Sequence, residues 1–127
     1  MNYGTSVTTD LDFAHALEKV RTALAEQGFG ILTEIDVQAT MKAKLDVDVA
    51  PQVILGACNP ALAHRALETD PGIGLLLPCN VVVRRDEDRT IVSALDPQVM
   101  VSLPDNPDLQ PVADEAGRRL RAALAAF

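Results

Sequence analysis

The chain has no tryptophan, one tyrosine and three phenylalanines in 127 residues. Its core must therefore be aliphatic, and the aromatic platforms on which unpaired bases stack are missing. Cations are outnumbered: 11 Lys and Arg against 18 Asp and Glu give a net charge of −7. A nucleic-acid binder needs a basic footprint, so no nucleic-acid partner is expected. Arg118, Arg119 and Arg121 fall together on one helix and read as a solvated face. No apolar run approaches the roughly 20 residues that span a bilayer, and residues 1–10 are polar without a cationic start. No secretory signal and no membrane partner are expected, which makes the expected location cytoplasmic.

Only two cysteines occur, Cys58 and Cys79. There is no CxxC, and their separation matches no common zinc spacing. In a reducing compartment the pair should remain thiols. Also absent are HExxH, a phosphate loop and a nucleophile elbow. Gly28-Phe29-Gly30 closes a helix and opens a strand, the reverse of a dinucleotide fingerprint.

What remains is a chain 48% apolar with eight prolines and seven glycines, enough to fold as one domain over residues 1–127 without covalent staples. Residues 3–8 suit an edge strand. Thr9 or Asp10 is placed to cap a helix in which Phe13, Leu17, Val20 and Leu24 repeat on one face, with Gly28 as the stop. Residues 29–35 alternate as a strand, with Phe29, Ile31 and Ile35 on one side. Asp36 caps a shorter helix whose Val37, Met41 and Leu45 are expected to pack inward. Residues 52–58 form a buried strand. Asn59-Pro60 then starts a third helix, because Asn satisfies an orphan amide and Pro fits the first helical position.

Leu62, Ala63, Ala66 and Leu67 make that helix's buried side, and Asp70-Pro71-Gly72 ends it. The apolar run at residues 73–77 reads as strand until Pro78 interrupts it with an edge, a bulge or a bend. Strand resumes at residues 79–84. A charged loop, Arg85 to Arg89, leads to a returning antiparallel strand at residues 90–95. Asp96-Pro97 is a turn, and residues 99–103 are an irregular strand or a single helical turn. A last helix carries Leu109, Val112, Ala116, Leu120, Leu124 and Phe127 along one stripe. The order is β-α-β-α-β-α-β-β-α, and the expected architecture is α+β: a mixed sheet with helices mainly on one face.

Four ordered blocks carry a resemblance. G-F-G-I-L-T-E-I-D-V-Q-A-T-M-K at 28–42, G-A-C-N-P-A-L-A at 56–63, I-G-L-L-L-P-C-N-V-V-V at 73–83 and Asp96-Pro97 resemble the bacterial and archaeal family known as domain of unknown function 302. The similarity covers nearly the whole chain. It implies a compact α+β fold and a homodimer, and it brings no established activity and no agreed catalytic residues. Other branches keep the Gly, Asn-Pro and Leu-Pro features without either cysteine, so a thiol role belongs to this branch.

The chemistry-bearing constellation is the pair Cys58-Asn59 and Cys79-Asn80. Cys58 precedes a helix whose free amides favour a thiolate or a small anion, yet free cysteines more often pack as small core residues. Cys79 alone reads as core. Together, a strand, a helix and a returning strand can bring the two sulfurs to one pocket. That pocket would suit a small-molecule ligand or a soft metal, copper or zinc, with Cys58 and Cys79 as ligands.

Asn59 reads first as a cap, while Asn80 on a strand is open to holding a loop or a ligand. His64 pairs with Glu68 and His15 lies beside Glu18 and Lys19, both solvated. Glu34 and Asp36 could stand at the pocket's rim, and Met41 and Met100 read as core. Three functions follow. The first is a non-enzymatic homodimer binding a small ligand or soft metal through Cys58, Asn59, Cys79 and Asn80. The second is a redox protein or enzyme using Cys58, and the third a structural domain with inert cysteines.

Overall fold

The computed structural model describes residues 3–127. In chain order the elements are β1 (Gly4–Thr9), α1 (Phe13–Glu26), β2 (Gly30–Asp36), α2 (Val37–Leu45), β3 (Gln52–Cys58), α3 (Pro60–Thr69), β4 (Cys79–Asp86), β5 (Arg89–Leu95), α4 (Val99–Ser102) and α5 (Gln110–Leu124). Turns of 3-10 helix lie at Pro71–Leu76 and Pro107–Leu109. The α+β class and the order of main elements stand, and α4 settles residues 99–103 as a helical turn.

The sheet runs β1-β5-β4-β3-β2, and every neighbouring pair is antiparallel. The expected mixed sheet is thus a purely antiparallel one. The reason lies in the helical connections, which return to the end they left. The chain leaves β2 at Asp36 and re-enters beside it, Asp36 facing Val53. It leaves β3 at Cys58 and re-enters with Cys79 facing Ala57. The fold-back after α3 uses the apolar run read as strand. Asp70 accepts the Gly72 amide at 3.0 Å, and Pro71–Leu76 coils as 3-10 helix instead. The Leu77–Pro78 peptide that follows is cis.

One face of the sheet is covered. Val53, Leu55 and Ala57 of β3, Cys79, Val81 and Val83 of β4, and Val92 and Ala94 of β5 are buried. They pack under Ala16, Val20, Ala23 and Leu24 of α1 and under Leu120, Ala123 and Leu124 of α5. Each large side chain fully buried here stabilises the fold by about 1.5–3 kcal/mol. A second cluster joins Leu62 and Ala66 of α3 to Ile73, Met100, Leu109, Val112, Ala113 and Ala116. The apolar stripe of α5 therefore serves both clusters, its first half in one and its second half in the other.

Four local expectations are corrected. Asp12, not Thr9 or Asp10, caps α1, its carboxylate accepting the His15 amide at 2.8 Å. No residue of α2 is buried, and Leu45 is 66% exposed. Val37 and Met41 share one side of α2 but are only half-buried, because α2 packs at the β2 edge of the sheet and none of its residues joins either core cluster. Leu67 and Ile35 are likewise exposed rather than packed. Among the described residues no helix is long and apolar enough to cross a membrane.

Candidate functional site

Antiparallel pairing decides whether the two cysteines can meet. Had β4 run parallel to β3, its first residue would lie a strand's length from the last residue of β3. Instead Cys79 pairs with Ala57, the neighbour of Cys58. The two cysteines stand diagonally across adjacent strands at one end of the sheet. Strand alternation assigns Cys79 to the helix-covered side and Cys58 to the other, and both reach a cavity that opens where the strands end.

The surroundings are built locally. Asn59 Oδ1 accepts the Leu62 amide at 3.2 Å, so Asn59 is the helix cap its position promised, and it is nearly buried. Pro60 holds the first helical position. Two glycines make room. Gly28 has φ 83°, and a Cβ there would come within 3.0 Å of both Arg119 Nη1 and Asn59 Nδ2. At Gly56 a Cβ would collide with Thr33 Oγ1 and Pro78 Cγ, so the bare backbone lets Pro78 lie across β3. The Gly56 and Pro78 features of the sequence blocks thus meet in space.

The cavity measures about 30 Å³ and lies at the seam of the two core clusters. Phe29, Leu62, Met100 and Val112 line it together with both cysteines. About 10–15 Å³ on this measure holds one water, whereas organic ligands occupy about 300–1,000 Å³. The hollow takes an ion or a few atoms, not a metabolite. Met100 is the residue that sequence reasoning missed. Its 4% exposure fits the core role its sequence suggests, yet it lines the same cavity as the two cysteines.

Both cysteines are free thiols. Burial pushes the Cys58 thiol above its ordinary value, against the lowering expected at a helix start. Burial, and then the neighbouring Cys58, push Cys79 up to about 11. Both are protonated near neutrality, so an activated thiolate at Cys58 draws no support from its surroundings. Among the described residues no three His, Cys, Asp or Glu side chains gather as a metal centre.

Asn80 does not belong to this site. Side chains of adjacent strand residues point to opposite faces, and Asn80 is exposed on the uncovered face, beside a different and larger hollow. The other polar candidates are accounted for locally. His64 Nδ1 stands 3.2 Å from Glu68 at the surface. His15 pairs with Asp12 at 2.7 Å, not with Glu18 or Lys19. Glu34 pairs with Arg21, Asp36 caps α2, and Asp96 accepts the Gln98 amide at 3.0 Å.

Fold and site together define a small α+β domain with a half-covered antiparallel sheet and a small cavity at one strand end lined by both cysteines and Met100. Its sequence matches the profile described as "Domain of unknown function DUF302" over residues 5–127, and the chain belongs to that family. Among solved structures it is similar to the crystal structure of an uncharacterised conserved protein DUF302 from Bacillus stearothermophilus. The two are 28% identical, the match covers 98% of each chain, and the TM-score is 0.91. No curated protein matches.

Proposed function

We propose that the chain is a non-enzymatic binding domain, one folded unit acting as a cytoplasmic homodimer, whose cavity takes a single Cu(I) ion between Cys58 and Cys79. The observation that carries this reading is a hollow of about 30 Å³ lined by Cys58, Cys79 and Met100. Soft sulfur ligands select Cu(I). Zinc fits poorly, since its sites draw on Cys, His, Asp and Glu, four in a structural site and three in a catalytic one, and no third such side chain is gathered here among the described residues.

Each thiol must lose its proton to bind, so apparent affinity should rise by about tenfold per pH unit for each proton displaced. Titration with Cu(I) against a chromophoric Cu(I) chelator tests the reading. One equivalent should bind to the native chain, less tightly after Met100→Leu, and none to Cys58→Ser/Cys79→Ser. Copper retained by a folded double variant removes the proposal.

Support for the homodimer comes from the corner made by β2 and α2. Leu32, Ile35, Leu45, Val47 and Val49 are all exposed there, beside an edge strand. Exposed apolar side chains beside an unpaired strand edge favour association. Sedimentation should find a dimer that Leu45→Arg/Val47→Arg converts to monomer. A monomeric native chain at micromolar concentration would end this part of the reading.

A further inference from the structure

The uncovered face of the sheet holds a second hollow, of about 420 Å³, over β1, β5 and β4. Ser6, Asn80, Val82, Arg84, Ser93 and Leu95 line it. Unlike the cysteine cavity, it has the volume of an organic-ligand site. Its charge is one-sided: Arg84 contributes a guanidinium and no carboxylate borders the space. The cross-strand neighbours of Arg84 are Gln52 and Ile91, both uncharged, and no described residue forms an ion pair with it. In a chain of net charge −7, a cation without a partner on a carboxylate-free concave surface is a place prepared for an anion.

The polar groups are arranged for one. Val82 faces Ser93, and Ser93 faces Ser6, so the three form a row across the strands. The two serine hydroxyls stand 2.7 Å apart. One donates to the other, which leaves the second hydroxyl proton free to donate outward. Arg84 lies two residues along β4 from Val82 in one direction and Asn80 two in the other. Alternate residues of a strand are about 7 Å apart, so an anionic head at Arg84 and the serines leaves an apolar body room over Val82 and Leu95. Asn80 then meets its far end.

We infer that this face is a binding site for small organic anions with an apolar body, carboxylates in particular, with Arg84 as the anchoring residue. The site is separate from the cysteine cavity and does not depend on copper binding there. A guanidinium can grip a carboxylate with two parallel hydrogen bonds, and the sheet supplies the apolar floor.

The test uses two fluorescent probes of one shape: 1-anilinonaphthalene-8-sulfonate, which is anionic, and N-phenyl-1-naphthylamine, which is neutral. The anionic probe should bind the native protein, and octanoate should displace it while octanol should not. Arg84→Gln, folded by circular dichroism, should weaken the anionic probe by at least about tenfold and leave the neutral one unchanged. Cys58→Ser/Cys79→Ser should bind both probes as the native chain does. Amide shifts in a 15N spectrum should gather at Ser6, Asn80, Arg84 and Ser93. Equal affinity in Arg84→Gln, equal displacement by octanol, or shifts centred on the β2 and α2 corner would each overturn the proposal.

Discussion

Iodoacetamide added to the native protein measures how Cys79 is held. The thiolate is the nucleophile, and burial together with Cys58 moves this thiol from an ordinary 9.0 to about 11. Two units mean about hundredfold fewer thiolates at any pH below the ordinary value. Near neutrality only on the order of one molecule in ten thousand is ionised, and the side chain is just 6% exposed. Cys58, also raised but more open to solvent, should be alkylated first.

Timed labelling with peptide mass spectrometry, in buffer and in urea, reads both sites at once. Cys79 should react at least about hundredfold more slowly in the native chain than in urea. Its native rate should climb about tenfold per pH unit and level off only near 11. The same shift bears on stability. The folded state favours the neutral thiol, so this contribution is whole below about pH 9 and is lost as pH rises through about 11. The loss is about 1.4 kcal/mol by pH 10, relative to the pH dependence of Cys79→Ala. Native labelling of Cys79 as fast as in urea, or a plateau below pH 9, would refute this account.

Three other outcomes are expected. Leu24 is fully buried between α1 and the sheet, so Leu24→Ala should cost about 2–5 kcal/mol in urea unfolding; a cost under 1 would mean the site collapses freely. The buried Thr90 hydroxyl donates to the Leu11 carbonyl at 2.8 Å and accepts from Arg85 Nη1 at 3.0 Å. Thr90→Val should therefore lose about 1–3 kcal/mol despite its matching shape, and an unchanged midpoint would show that the two bonds contribute nothing net. Glu115 is held down to about 2 by hydrogen bonds from Arg118 and then Arg119. Its contribution is present above the ordinary 4.5 and lost as pH falls through about 2, so a carboxyl NMR titration centred near 4.5 would contradict the pairing.

Much of the fold was legible because the chain writes its buried stripes plainly. Leu109, Val112, Ala116, Leu120 and Leu124 mix spacings of three and four, which tracks one face of a helix, and all are buried. Asn59-Pro60 announced a cap and delivered it. The failures have physical causes. Residues 73–77 carry no periodicity, so a 3-10 coil and a buried strand look alike until the Asp70 side chain takes the Gly72 amide. Antiparallel return after α3 is a tertiary choice that residue types do not encode. The separation of Asn80 from Cys79 was available from parity alone, since consecutive residues of one strand cannot share a side. Met100 carried no signal beyond its softness, because only tertiary packing brings α4 to the cavity that Cys58 and Cys79 line.

The division of α5 between two hydrophobic clusters has a consequence for biosynthesis. A nascent chain can pair all five strands before that helix has left the ribosome, yet neither cluster can close without it. The sheet would wait with its apolar side open, available to chaperones, until Leu124 has cleared the exit tunnel. Folding of this protein should then be a late, single event rather than a growth from the first residues onward.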